Sequence, residues 1–169
     1  LDYIEEHPEI NDDKILVIAH ENWHNGIVGI VSSKITEKFY KPSILFAVDG
    51  DEAKGSGRSI SGFNLFGALE NCSDMLEKFG GHELAAGLAI KAENIEEFRK
   101  KINEYSKDKI SENMMIPTVM LDAAIKVPYI NMDTVHDINR LQPFGVENPT
   151  PAFAVRNIRI HKAGLFQLM

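Results

Sequence analysis

The sequence predicts an α/β fold in which helices flank a mixed sheet. Short apolar runs rich in β-branched residues alternate along the chain with segments whose apolar residues recur at helical spacing. The chain has 169 residues, 44% of them hydrophobic, which is sufficient for a packed core without disulfides. The longest apolar runs, such as residues 27–31 and 44–48, are too short to cross a bilayer, so we expect no membrane partner.

The first two thirds of the chain predict strands and helices in alternation. Apolar runs predict four strands, at residues 15–19, 44–48, 53–60 and 84–90. Apolar residues at helical spacing predict three helices, at residues 27–39, 65–79 and 95–105. The second helix would end at Gly80. Glycines inside the third strand indicate that a ligand or another backbone segment comes close to it.

A second unit follows a predicted linker at residues 111–117. We expect strands at residues 119–127 and 152–160, with a short helix at residues 134–141 between them. We place the domain boundary after residue 112, so the first domain is residues 1–112 and the second is residues 113–169.

Charge is distributed unevenly along the chain. The formal net charge of −7 argues against a nucleic-acid partner, because such partners select basic surfaces. Residues 1–21, however, hold seven acidic side chains and one lysine, so the rest of the chain is nearly balanced. The sequence is therefore compatible with a local basic groove. The single cysteine, Cys72, excludes an internal disulfide and favours a packing role in a reducing cytoplasm.

Two glycine clusters supply the candidate phosphate-binding residues. In Gly55-Ser56-Gly57-Arg58-Ser59, we expect the strand to expose Arg58, whose guanidinium fork matches phosphate oxygens, while the Ser56 hydroxyl adds a donor. In Gly80-Gly81-His82, backbone N–H groups can approach an anion and the imidazole can donate to the same oxygens. Each cluster has a structural alternative: Arg58 in a surface ion pair, and Gly80 at a helix end beside an ordinary histidine.

Trp23 and His24 form a further candidate site where the first helix begins. The indole ring could stack on a base. His24 lies next to Asn25-Gly26, where the N–H groups of a helix start point outward. Packing in the core is the alternative for Trp23.

The sequence offers little support for metal or catalytic chemistry. His20, His24, His82 and Cys72 are ligand types, but they fall across different elements and lack the carboxylate clusters of two-metal nucleases. The sequence contains no P-loop, no complete dinucleotide-binding motif and no nucleophile elbow. We therefore predict a phosphate-binding α/β unit that binds no metal and has no catalytic residues of its own.

Four motifs carry a resemblance to a known family. They are Trp23-His24-Asn25-Gly26 with residues 27–31, Gly55-Ser56-Gly57-Arg58-Ser59, Gly80-Gly81-His82 with residues 83–87, and residues 141–145 with Asn148-Pro149. In this order they resemble RecJ-type single-strand-specific DNA exonucleases. The resemblance implies that residues 1–112 form the DHH-associated substrate-binding domain and residues 113–169 a partial, β-rich, oligonucleotide-binding-like domain.

The resemblance also implies a division of labour. In the family, an N-terminal domain with an Asp-His-His motif holds Mn²⁺ or Mg²⁺, and this sequence contains no such motif. The chain would be the substrate-binding part of a metal-dependent exonuclease that degrades single-stranded DNA 5′ to 3′ in repair and recombination, inactive without that domain. Its partners would be single-stranded DNA and the N-terminal domain of the same protein. The ends at Leu1 and Met169 are typical of an excised fragment.

By resemblance, Arg58 and the turn Gly80-Gly81-His82 contact phosphates near the scissile bond, and Ser56 and Gly57 shape the approach. His24 and Trp23 are secondary candidates. Two other functions stay open. The same domain occurs in oligonucleotide and cyclic-dinucleotide phosphodiesterases, and the chain could also be a non-enzymatic nucleic-acid-binding module.

Overall fold

The computed structural model describes residue 10 and residues 12–159. Contacts between residues divide the chain into two units, Leu1–Pro117 and Thr118–Met169. The domain boundary expected after residue 112 stays a prediction.

The first unit is built on a five-stranded sheet with the strand order β1-β2-β3-β5-β4. The strands are β1 Leu16–His20, β2 Ser43–Asp49, β3 Glu52–Arg58, β4 Leu76–His82 and β5 Ala85–Lys91. β1 and β2 run parallel, whereas every other neighbouring pair is antiparallel. The sheet is therefore mixed, and the predicted fold class is confirmed.

Over residues 12–117, three α-helices cover parts of the two sheet faces: α1 Val28–Phe39, α2 Leu65–Asn71 and α3 Ile95–Ser106. α1 packs on one face, where Val28 and Ile35 join the apolar cluster around Leu45. α2 and α3 pack on the opposite face, where Phe98 meets the ring of Phe46 edge-on with centroids 6.0 Å apart. The apolar runs of the strands and the apolar stripes of the helices coincide with the faces that are buried between sheet and helices. For this reason the sequence predicts these layers.

One part of the sheet has no helix over it among the described residues. α1 packs mainly against β2 and β3, and on its side of the sheet the neighbouring β5 and β4 carry exposed or half-buried residues. We call this surface the open face. It comprises Lys54, Ser56 and Arg58 of β3, Lys78, Gly80 and His82 of β4, and Ala85, Gly87 and Ala89 of β5.

The predicted helix over residues 65–79 is wrong in its second half. After α2 and a 3₁₀ turn at Ser73–Met75, the chain continues as β4. A bulge at Glu77 shifts the register, so Leu76 and Phe79 both pack on the core side of the strand although they are three residues apart. This spacing mimics the period of a helix. Gly80 consequently lies inside a strand and does not end a helix.

The other elements of the first unit are confirmed to within two residues at each end. α1 ends where Tyr40 adopts a left-handed conformation, with φ of 49°, just before Lys41-Pro42. Cys72 is fully buried after the last turn of α2, so its predicted packing role is confirmed.

The second unit contains less regular structure than its sequence predicts. Two-residue strands, β6 Ala123–Ala124 and β7 Phe153–Ala154, pair in parallel around α4 Met132–Asn139. The long strands expected at residues 119–127 and 152–160 are therefore wrong over the described residues, and residue 160 lies outside them. A 3₁₀ turn at Val127–Tyr129 interrupts the first run. α4 begins before residue 134 because the Asn131 side chain accepts a hydrogen bond from the Thr134 N–H.

No helix in the described part of the chain is long and apolar enough to cross a membrane.

Candidate functional site

The two glycine clusters of the sequence meet on the open face. β5 lies between β3 and β4, so that Arg58, Ala85 and His82 form one row across three strands. Ser56, Gly87 and Gly80 form the adjacent row. Residues directly opposite each other point to the same side of a sheet. The structure therefore places Ser56, Arg58, Gly80 and His82 together, although residues 60–79 separate the two clusters in sequence.

Gly57 and Gly81 alternate to the other side of their strands. A Cβ on Gly57 would lie 2.8 Å from the Cδ2 atom of the buried Leu65, so this glycine allows α2 to pack closely. Gly81 has φ of +146°, and a Cβ there would lie 2.3 Å from the carbonyl oxygen of Ala85. Packing thus accounts for Gly57, and backbone conformation accounts for Gly81. That these glycines also take part in binding a ligand stays a prediction. Gly80-Gly81-His82 is the end of a strand and not the turn expected.

Arg58 is held in place by neutral hydrogen-bond acceptors. Its Nε donates to the Ser33 hydroxyl of α1 at 3.1 Å, and its Nη1 donates to the Ser56 hydroxyl at 3.1 Å and to the Gly57 carbonyl at 2.8 Å. Gly29 makes room beside it, because a Cβ there would lie 3.3 Å from Nη2. The expectation of an exposed arginine is wrong, since the side chain is half-buried between α1 and β3.

The charge of Arg58 is not balanced by a counter-ion in the described part of the chain. Within residue 10 and residues 12–159, no carboxylate forms an ion pair with this guanidinium, which contradicts the ion-pair alternative. A fixed cation with only neutral partners is a favourable place for an anion, because binding requires no existing salt bridge to break.

His82 stands exposed at the end of β4, beside the turn that leads into β5. Its Nδ1 accepts a hydrogen bond from the Leu84 N–H at 3.3 Å. A neutral ring that accepts at Nδ1 carries its proton on Nε2. The turn is tied to the body of the domain, since the Leu84 carbonyl accepts from Ser59 N–H at 2.9 Å. His82 therefore offers a positioned donor in the same row as Arg58.

The floor of the open face is made of small residues. Gly80 and Gly87 have no heavy atom within 4 Å of where a Cβ would be. The adjoining groove is lined by Asn25, Lys54, Lys78, Phe79, Gly87 and Ala89, among others. Two exposed lysines and Arg58 thus surround a flat surface that a chain of phosphates can approach, despite the net charge of −7 of the whole chain.

Trp23 and His24 lie beside this groove and outside the two rows. Trp23 is half-buried, packs in part against the apolar cluster under α1, and stacks on His20 with ring centroids 5.7 Å apart. His24 is exposed, and its Nδ1 accepts from the Gly26 N–H at 3.0 Å. The packing alternative for Trp23 is thus correct for part of the ring. Both residues line a second pocket, which shares Asn25 and Lys54 with the groove.

Several members of the open face are not among the residues predicted from the sequence. Lys54 could have been found, because it lies two and four residues before Ser56 and Arg58 on the same strand. Lys78 and Gly87 could not, because their positions depend on recognising β4 as a strand and on the order of β3, β5 and β4. Within the described residues, no group of three His, Cys, Asp or Glu side chains could hold a metal ion.

Comparison with known proteins identifies the two units. Residues 12–108 match the DHHA1 domain, and residues 121–167 match the RecJ OB domain. The chain belongs to the DHHA1 domain family. Every residue of the open face lies within the matched range, so the candidate site is a surface of the DHHA1 domain. With both matches, the chain corresponds to the DHHA1 and OB region of a RecJ exonuclease, and the resemblance seen in the motifs is confirmed.

RecJ exonucleases from several bacteria share this region. The chain is 41% identical to the single-stranded-DNA-specific exonuclease RecJ of Bacillus subtilis over 148 residues, which cover 86% of this chain and 19% of that protein. RecJ from Thermus thermophilus in complex with Mn²⁺ superposes with a TM-score of 0.77 at 26% identity, over 91% of this chain and 23% of that one. Its complex with Mg²⁺ gives 0.74 at 27% identity, over 90% and 25%. The chain thus spans about a fifth to a quarter of the length of these relatives.

Proposed function

We propose that this chain is the substrate-binding part of a metal-dependent exonuclease specific for single-stranded DNA, and that the open face binds the phosphates of the strand. The observation that carries the proposal is Arg58, a half-buried cation whose partners among the described residues are all neutral, in one row with the His82 donor. The name of the Bacillus subtilis relative supplies the substrate class.

Each part of the open face would have a separate task in binding. The guanidinium of Arg58 would neutralise one phosphate, and Nε2–H of His82 would donate to the same or the next phosphate. Gly80 and Gly87 would let the backbone of the DNA strand lie against the sheet, because neither residue has a side chain that projects from it. Lys54 and Lys78 would extend the positive surface along the groove.

Hydrolysis would require groups that the described residues do not supply. No cluster of metal-ligand side chains is present among them, so we place the Mn²⁺ or Mg²⁺ in an N-terminal domain of the same protein. That ion would supply an activated water molecule. The chain on its own would then bind DNA without cutting it.

The match of residues 121–167 to the RecJ OB domain supports the exonuclease over both alternatives, the small phosphodiesterase and the non-enzymatic module. An OB fold suits single strands, and would supply further contacts to the DNA. The proposal includes 5′-to-3′ polarity and a role in DNA repair and recombination, as expected from the resemblance. It also includes a cytoplasmic location, as expected from the single cysteine.

The test is a titration of the 169-residue chain with a dye-labelled single strand and with the matching duplex, at several salt concentrations, beside a nuclease assay in Mn²⁺. We expect preferential single-strand binding that weakens with salt, without cleavage. Cleavage would overturn the inference that the metal site lies elsewhere, and equal affinity for the duplex would overturn the assigned substrate.

A further inference from the structure

A second pocket lies beside the open face and has different chemistry. It is at the carboxyl ends of the parallel strands β1 and β2, where ligands of α/β sheets commonly bind. Its lining includes Glu21, Trp23, His24, Asp49, Glu52 and Lys54. Asn25 and Lys54 line both this pocket and the groove of the open face, so one ligand can occupy both.

The charges of the pocket exclude a phosphate as its natural occupant. Three carboxylates, from Glu21, Asp49 and Glu52, face a single lysine there, whereas basic side chains dominate the open face. These carboxylates do not form a metal-binding group within the described part of the chain. The pocket therefore suits a group that carries no negative charge and donates hydrogen bonds to carboxylate oxygens.

The indole adds an aromatic surface in a fixed position. Trp23 packs in part against the apolar cluster under α1, and its ring stacks on that of His20 with an interplanar angle of 22°. Because these contacts already restrict the ring, little side-chain freedom would be lost when a planar ligand contacts its remaining surface.

We propose that this pocket receives one base of the bound strand and prefers a base with an exocyclic amino group. Adenine, cytosine and guanine each present an exocyclic amino group to the carboxylates, whereas thymine offers only the N–H of its ring. The inference rests on the proposed binding of single-stranded DNA at the open face. It adds a base preference to a surface that otherwise contacts phosphates alone.

Trp23 is the only tryptophan of the chain, so its fluorescence reports directly on this pocket. We would titrate the 169-residue chain with 5′-dye-labelled oligo-dC, oligo-dT and an abasic strand of equal length, following dye anisotropy and tryptophan emission in parallel. We expect oligo-dC to bind about fivefold more tightly than oligo-dT and to quench Trp23. The abasic strand should bind without quenching.

The outcomes separate this inference from the function on which it rests. Binding of every strand with no quenching, or with equal affinity for oligo-dC and oligo-dT, overturns the base pocket and leaves phosphate binding intact. If the anisotropy of no strand rises when the protein is present, both proposals are contradicted.

Two exposed acidic residues, Glu21 and Asp49, provide variants that should not disturb folding. Glu21→Gln or Asp49→Asn should reduce the preference for oligo-dC over oligo-dT by at least about half, with little effect on the abasic strand. Glu37→Gln, which changes an exposed carboxylate of α1 outside the pocket, is the matched control. An unchanged preference in both variants overturns the proposal.

Discussion

Gly80 and Gly87 lie directly opposite each other across β4 and β5, and a Cβ built on either would have no heavy atom within 4 Å. The glycines on the other face of β3 differ sharply. A Cβ on Gly55 would lie 2.6 Å from the Cε1 atom of Phe46, and one on Gly57 would lie 2.8 Å from Leu65. Packing thus requires glycine at residues 55 and 57, whereas it imposes no such requirement at residues 80 and 87.

Gly87→Val should leave the fold intact and weaken DNA binding. The new side chain would stand on the open face, where its Cβ has no heavy atom within 4 Å, and it would hold the phosphates away from the sheet. Valine also suits a strand better than glycine. We expect an unchanged or higher melting temperature and roughly tenfold weaker binding of a single strand, the cost of about one lost phosphate contact. Wild-type affinity in a folded variant would argue against the open face as the binding surface.

Gly55→Ala should destabilise the protein, and Gly87→Ala should not. The ring of Phe46 is fully buried and packed edge-on against Phe98, so it cannot move away from an added methyl group without strain. Overpacking of this kind costs about 1–3 kcal/mol. Urea denaturation of the two variants measures the difference, and equal stability would show that the core around Phe46 is less tightly packed than the structure indicates.

Gly81→Ala should be more damaging than Gly80→Ala, although the two residues are neighbours. Gly81 has φ of +146°, and its Cβ would collide with the backbone of Ala85, whereas Gly80 has free space. We expect the Gly81 variant to lose about 1–3 kcal/mol of stability and to displace His82. Thermal unfolding of both variants is the measurement; if the two melt together, the backbone of β4 is not constrained as described.

Cys72 should make the protein less stable at alkaline pH. Burial raises the pKa of this thiol to about 11, from 9.0 in an exposed thiol. Below pH 9 the thiol is protonated in both states, so it has no effect. Between pH 9 and 11 only the unfolded chain loses the proton, so stability falls as pH rises. We expect this fall to reach at most about 3 kcal/mol. It should be absent in Cys72→Ala, whose stability at each pH is compared with its own stability at neutral pH. A parallel pH dependence of the two proteins would contradict the assignment.

The sequence predicts the layers of the fold better than it predicts the edge strand. Residues 15–19 and 44–48 are continuous apolar runs because β1 and β2 are covered on both faces, and the stripe of α1 follows from its single buried face. β4 escapes detection because the bulge at Glu77 gives its apolar residues helical spacing. Local periodicity carries no information about such a register shift.

Prediction of the candidate site from the sequence is limited in the same way. Arg58 and His82 can be selected by chemical type, because guanidinium and imidazole suit phosphate. Their membership of one row cannot be predicted, since it depends on β5 inserting between β3 and β4. Nor could the neutral partners of Arg58 be foreseen, because Ser33 comes from a helix 25 residues away in sequence.

The most direct test of the open face compares Arg58→Ala with Lys100→Ala in binding of a dye-labelled single strand by anisotropy. Both variants remove one positive charge, but Lys100 belongs to α3, on the opposite side of the sheet. With folding verified by thermal unfolding, we predict that Arg58→Ala binds at least about tenfold more weakly and that its slope of log affinity against log salt is shallower by about 0.7. Lys100→Ala should stay within about twofold of the wild type. Equal affinities of the two variants would contradict the account.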